Sequence, residues 1–480
     1  MKQRKIPSPA VLCGVLAAAL CLLAGVLLLL GFVLPPQYED TFLGEMKYKM
    51  ERLETTEGPR IIVVGGSSVP FALKSGLVEE YLPGYQVVDF GMYAGMGTVV
   101  MLDWAQTQAR EGDIFVIAPE QSAQTLSCFF SGELAWQAAD GAFDLLPLIN
   151  SGRYESLAAA FPAFAGKKLW YALTGAPEPD GVYARSSFDG YGDIVYPDRT
   201  ANIMSGGRNP NDLISFSQDV ITEDFIDALN GFARAVTAKG AKVVYHFPPM
   251  NAAALEPGTD QTAVDAYYDY LDGQLLFPIL GDPGRCILDS GWFYDTNFHL
   301  NASGATVFTK LLIEDLKIFL KDTSPTEIAL PAMPSAGAAA LGTDNTDGAL
   351  FTYRHTEQGW ILSGLTEEGR AARNLTLPGS YAGEPVVGLD KALFVGNTAI
   401  REIRVQPNIG VLYDGMFSGC TALERLILTG EDPSAYAAGD GLREGADFFI
   451  CVPEGALDRY RRDYFWQAYG AWIQPWREDS

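Results

Sequence analysis

From residue 60 onward, short apolar runs alternate with longer amphipathic ones. Residues 61–64 (IIVV) predict a strand that ends in Gly65-Gly66. Further strands are expected over 86–90, 113–118, 242–247 and 286–288, the second running into the glycine-rich GMYAGMG of 91–97. Between and after them, helical spacing of apolar positions predicts helices over 73–82, 98–110, 225–239 and 303–320. Strands alternating with helices point to an α/β domain, a parallel sheet with helices on both faces. The stretch of about 121–222 breaks the pattern. It is rich in aromatics, Gly and Pro, and reads as an insertion over the carboxyl edge of the sheet.

Before this domain lies a different pattern. Lys2, Arg4 and Lys5 precede an uncharged apolar run over 10–34, closed by Pro35-Pro36. The run exceeds the ~20 residues a helix needs to cross a bilayer, and has no polar face. It is longer than the ~7–15-residue apolar core of a signal peptide. Residues 1–36 are thus expected to be a cytoplasmic basic tip and a transmembrane anchor. The basic residues before the run, with Glu39, Asp40 and Glu45 after it, predict an internal N-terminus. Residues 37–59 are polar and helix-prone and read as a stalk.

The α/β domain is expected to occupy 60–321. Residues 322–343 are dominated by Pro, Ser, Ala and Gly and read as a linker. In the remaining 344–480, Phe394, Gly396, Ile400, Ile403 and Val405 match Phe417, Gly419, Leu423, Leu426 and Leu428 at a constant offset. Such a period predicts a small leucine-rich-repeat β-solenoid, each unit covering its apolar ladder with the next. The flanking 386–394 and the terminal 448–469 then serve as degenerate turns or caps.

Composition narrows the function. The chain has 480 residues, with 34 Lys+Arg against 59 Asp+Glu, a formal charge of −25. Charge of that sign is repelled by nucleic acid, which excludes nucleic-acid partners. Cys128, Cys286, Cys420 and Cys451 lie outside the apolar run; they are too few for a disulfide framework and read as core thiols. No spacing of Cys and His suggests a metal site, and no cofactor is expected. With His 3 in the whole chain, any imidazole chemistry must use His246, His299 or His355.

Three places carry candidate chemistry. Gly65-Gly66-Ser67-Ser68 puts hydroxyls at the carboxyl end of a parallel strand, where ligands of open sheets bind. The glycines of 91–97 let backbone N–H groups approach a ligand, as an oxyanion hole requires. The loop Tyr294-Asp295-Thr296-Asn297-Phe298-His299 joins a carboxylate and an imidazole just before the last helix. A nucleophilic serine needs such a base, and the base an orienting acceptor. His246, at the end of a strand, is the competing base, and reads more as a site-lining or structural residue. His355 lies in the repeat region and reads as a surface residue.

This order of motifs resembles the SGNH (GDSL-like) hydrolase family. More narrowly it resembles the membrane-anchored members that act beside membrane-bound O-acyltransferases in cell-wall and exopolysaccharide modification. The resemblance covers about 60–322 and implies a flavodoxin-like sheet. Gly66-Ser67-Ser68 through Ala72 matches the family's Gly-Asp-Ser-x-x-x-Gly motif and makes Ser68 the nucleophile; the register Gly65-Gly66-Ser67 would choose Ser67 instead. The resemblance further implies Gly95, or else Gly91, as an oxyanion donor. Where the family has an Asn donor, this chain has Glu120 and Gln121. The family's Asp-x-x-His corresponds to Asp295 and His299, with one residue more between them, so that Asn297 or a backbone carbonyl is a possible second orienter. The C-terminal part resembles the BspA-type leucine-rich repeats of bacterial surface proteins, through 415–423 and 452–466. Together these resemblances imply an extracytoplasmic serine acyl-ester hydrolase or O-acyltransferase acting on cell-wall or exopolysaccharide glycans. The alternative is a catalytically degenerate, glycan-binding surface protein.

Overall fold

The computed structural model describes the chain except residues 1–8, 177–178, 180, 197–198, 200–203, 205–206, 335–348, 357–358, 383, 440, 464–465 and 478–480. It is a mixed α/β structure built largely on parallel sheets. Five strands make the first sheet: Arg60–Gly65, Gln86–Gly91, Ile114–Ala118, Lys242–His246 and Ile279–Leu280. In space the second strand lies at one edge, then the first, third, fourth and fifth, all parallel. Arg60–Gly65 is buried along its whole length, as expected of a β-branched run covered on both faces. Ile62, Val64, Phe115 and Ile117 enter one apolar cluster. Ile61, Val63 and Val116 enter another, with Leu312, Ile313 and Leu316 of the helix Ala302–Leu320. At the base of the sheet Arg60 clamps Asp113, just before the neighbouring strand, through two bonds of 3.0 and 2.6 Å.

Several expectations need correction. The expected strand 286–288 is reduced to Ile287–Leu288, and it pairs with Met250–Asn251 outside this sheet. The fifth place is taken by Ile279–Leu280, too short to leave a sequence pattern. Residues 37–59 are no stalk. Phe42, Leu43, Met46, Met50 and Leu53 are buried in the main core. From the helix Met46–Thr55, Lys49 reaches Asp89 Oδ1 at 2.8 Å and the Gly192 carbonyl at 2.8 Å, both fully inside. The expected linker lies partly outside the described residues. Its first part is pinned to the body: Tyr81 donates to the Glu327 carbonyl at 2.8 Å.

The helix Pro9–Phe32 is long and apolar enough to cross a membrane: residues 13–32 have a mean hydropathy of 2.8 with 6% burial. Beyond residue 348, the chain builds a four-stranded and a five-stranded sheet. The second is parallel throughout and runs Asn374–Thr376, Glu402–Val405, Arg425–Leu428, Phe449–Pro453, Ile473–Trp476. Ile403 lies beside Leu426 and Val405 beside Leu428, so the matched positions of the sequence are lateral neighbours on one apolar face. Within 448–469, Phe449–Pro453 is a strand of the same sheet rather than only a cap, and Ile473–Trp476 beyond it adds another.

Candidate active site

The first strand ends at Gly65, and the chain turns through Gly66 and Ser67 into the short helix Ser68–Ala72. Gly66 is required by close approach: a Cβ there would meet Glu120 Oε1 at 2.7 Å and the Ala94 Cβ at 3.0 Å. The turn is therefore wedged between the ends of the second and third strands. This is the crevice at the carboxyl edge where the chain order of the sheet reverses.

Ser67, not Ser68, faces His299. Its Oγ lies 2.8 Å from His299 Nε2, and His299 Nδ1 lies 2.8 Å from Asp295 Oδ1. A carboxylate only accepts, so Nδ1 carries the proton and Nε2 is left to accept from the serine hydroxyl. All three side chains are almost fully enclosed. The geometry expected of Ser68 is found one residue earlier, at Ser67. Ser68 is fully buried, its hydroxyl makes no hydrogen bond among the described residues, and it lines a small crevice under the sheet with Val69, His246 and Phe308. One helical residue is a rotation of about 100°, enough to turn a hydroxyl from the crevice into the core.

The extra residue between Asp295 and His299 is absorbed locally. Thr296 Oγ1 accepts from the His299 N–H at 3.0 Å, and the His299 carbonyl accepts from the Tyr294 N–H at 2.7 Å. The loop thus curls until the carboxylate meets the ring. Asn297 does not orient the imidazole. Its amide donates to the carbonyls of Asn209 and Asp212, at 2.7 and 2.5 Å, and so ties the insertion to the histidine loop.

Two participants carried no sequence motif. Tyr183, inside the insertion, donates to Asp295 Oδ2 at 2.6 Å. Its phenol is held far above its ordinary pKa by burial, then by the adjacent Asp295, so it stays a neutral donor. Phe71, one turn after Ser67, lies flat on the His299 ring, 3.9 Å away with planes 7° apart.

Glu120 is unexpected in its placement. Its Oε1 accepts from the Ser68 N–H at 2.9 Å and lies 3.2 Å from Ser67 Oγ. The Ser68 N–H is therefore occupied and not free to hold an oxyanion. Asp212 is a further carboxyl close by, raised to about 6 by burial and by Glu120, and opposed by His299. Gln121 donates to the Ser215 carbonyl at 3.0 Å and anchors the insertion. Gly91 is a packing residue: its N–H bonds Asp89 Oδ1 at 2.9 Å, and a Cβ would meet Val69 at 2.3 Å. Gly95 sits in the turn Ala94–Met96, which faces the serine turn through Ala94. His246 is not a base for this serine. Nδ1 lies 2.7 Å from the Phe247 carbonyl and Nε2 3.2 Å from Asp315, itself bound to Arg285 at 2.7 Å. Among the described residues no group of His, Cys, Asp and Glu is arranged to hold a metal.

A cavity of about 550 Å³ opens on the Asp295 side of these residues. Tyr183, Tyr294 and Asp295 form part of one wall, and Asp432, Tyr436 and Arg459 of the C-terminal unit part of the other. Ser67 and His299 are not in its lining. Asn211 reaches the Leu412 carbonyl at 3.4 Å and joins the same two units.

No family model matches the chain, and no curated protein matches it. Among solved structures, the crystal structure of protein YXIM from Bacillus subtilis is 12% identical over 55% of this chain, with a TM-score of 0.26. The chain spans 57% of that structure's length. A superposition that loose defines neither fold nor activity.

Proposed function

We propose that the chain is a serine-dependent acyl-ester hydrolase or O-acyltransferase of the SGNH type. The observation that carries this reading is the continuous line Ser67 Oγ–His299 Nε2 and His299 Nδ1–Asp295 Oδ1, each step 2.8 Å. Ser67 Oγ attacks an ester carbonyl while His299 takes its proton. The oxyanion is held by backbone N–H groups of Ser67 and the Ala94–Met96 turn. Collapse of the adduct expels the alcohol, which takes the proton back from His299 and leaves an acyl-serine. Water or a sugar hydroxyl then attacks the acyl-serine, again with His299 as base. Tyr183 holds Asp295 in place, and Asp295 positions the ring and stabilises its protonated form.

The strand order of the first sheet supports a flavodoxin-like arrangement, and the lateral ladder after residue 374 supports a leucine-rich-repeat reading of the C-terminal unit. The apolar N-terminal helix supports a membrane-tethered protein, and the basic residues before it favour a body outside the cytoplasm; cell-wall or exopolysaccharide glycans and a membrane-bound O-acyltransferase follow from the resemblance. The adjoining cavity, with aromatic faces, carboxylates and one guanidinium, suits a sugar chain better than an apolar ester. Glu120 beside the nucleophile favours the second reading, a glycan-binding protein without turnover.

Incubating the full chain with an O-acetylated polysaccharide and with 4-nitrophenyl acetate tests the proposal. Acetate release from both, lost in His299→Ala, is expected. A folded protein that releases acetate from neither leaves the glycan-binding reading.

A further inference from the structure

The helix Tyr154–Thr174 departs from the rule that a surface helix is polar on its outer side. Its inner side is ordinary: Leu157, Phe164 and Ala165 are buried against the core. Its outer side is also apolar. Ala158, Ala159, Pro162, Ala163 and Gly166 are exposed, and the stripe ends in Leu169, Trp170 and Leu173 at 37%, 63% and 76% exposure. Beyond the first turn, the only charge on that side is Lys167, paired with Glu133 at 2.5 Å. A helix apolar all round belongs to a core or to lipid, and no core covers this side.

The helix is fixed to the end of the candidate span. Phe161 packs against Gly31 and Phe32. Lys168, fully buried, donates to the Gly31 and Leu34 carbonyls at 3.0 and 2.9 Å and pairs with Asp140 at 2.7 Å. It thereby satisfies carbonyls that the span leaves open at its C-terminal end. Trp170 and Leu173 follow Lys168 by two and five residues, ~3 and ~8 Å along the axis. Because Lys168 bonds the end of the span, both residues lie within about a turn and a half of it along their own helix. Tryptophan is the residue that prefers the level where a span leaves the bilayer.

We infer that the outer face of Tyr154–Thr174 lies in the bilayer interface as a second membrane contact beside the span. This inference rests on Pro9–Phe32 being membrane-embedded. A single span alone leaves the body free to rotate about its tether. Two contacts joined by Lys168 fix the tilt of the body, and with it the height of Ser67 above the lipid, so the esters reached are those presented near the membrane surface.

The full chain is reconstituted into phosphatidylcholine–phosphatidylglycerol vesicles, and into the same vesicles with acyl chains brominated near the headgroup. Bromine quenches tryptophans that touch lipid. Wild-type fluorescence should fall in the brominated vesicles, and Trp170→Phe should remove most of that fall. Leu169→Glu with Leu173→Glu alters only exposed positions and should also suppress it, with turnover of a soluble ester unchanged as the control for folding. Vesicles that float the protein but show equal quenching in wild type and Trp170→Phe, or none in either, overturn the helix contact alone. Protein that does not float with lipid overturns the membrane-embedded span and the helix contact together, and leaves the Ser67 chemistry standing.

Discussion

Replacing Tyr183 by Phe removes one oxygen and keeps the ring against Phe42 and Phe71, at 5.6 and 6.1 Å between centroids. What is lost is the 2.6 Å bond to Asp295 Oδ2, with a longer 3.3 Å contact to His299 Nδ1. Asp295 is enclosed, so water does not replace the donor freely. A hydrogen bond to a charged group is worth about 1.5–3 kcal/mol. If the bond serves mainly to hold Asp295 under His299, that energy appears in the barrier, and kcat/KM falls about 10- to 100-fold, at 1.36 kcal/mol per factor of ten. The missing donor also leaves more negative charge on Asp295 for the imidazolium, so the acid limb of the pH–rate profile should move to higher pH. Stopped assays with 4-nitrophenyl acetate from pH 5 to 9, alongside thermal melts, read both effects. A variant with wild-type kcat/KM and an unmoved profile would refute the positioning role. A variant that loses only melting temperature would make the bond structural.

Three other outcomes are expected. His246→Ala should lower the melting temperature, because it opens the buried contact with Asp315, yet leave the rate per folded molecule within a few-fold; a dead but stable variant would restore His246 as a base. Glu120→Gln keeps an acceptor for the Ser68 N–H and removes a carboxyl 3.2 Å from the nucleophile, so kcat/KM at pH 8 should rise; a tenfold fall would make Glu120 a participant. Glu45 is raised to about 7 by burial, against the pull of Lys49 and Arg185. Its folded pKa exceeds the unfolded one, so stability is lost as pH rises from about 4.5 through about 7, by at most roughly 3 kcal/mol. In urea titrations, Glu45→Gln should gain on wild type over that window, and a constant difference across pH would contradict the assignment.

What the sequence made legible was what its periodicities encode. The strands at 61–64, 86–90, 113–118 and 242–247 are β-branched runs bounded by Gly or Pro, and each forms within a residue or two of the expected limits. The loop holding Asp295 and His299 was legible because imidazoles are so few. Tyr183 was not: one tyrosine in an aromatic-rich insertion has no spacing to betray it, and its role comes from a contact across 112 residues. The helix Tyr154–Thr174 escaped because it is apolar on both sides and so shows no helical period. The stalk expectation failed because Phe42, Met46, Met50 and Leu53 are separated by Lys, Glu and Arg, whose own partners lie elsewhere in the body. The choice between Ser67 and Ser68 rested on a motif register, whereas the angle at which a five-residue helix begins is what turns the Ser67 hydroxyl, and not that of Ser68, toward His299.

That choice is also the central claim, and one measurement reaches it directly. The full chain is treated with a fluorophosphonate, digested, and the modified peptide sequenced by mass spectrometry, with Ser67→Ala and Ser68→Ala in parallel. Because Ser67 Oγ is the hydroxyl bonded to His299, the label should sit on Ser67, vanish in Ser67→Ala and persist in Ser68→Ala. Label on Ser68, or no label on the folded wild-type protein, would contradict the account.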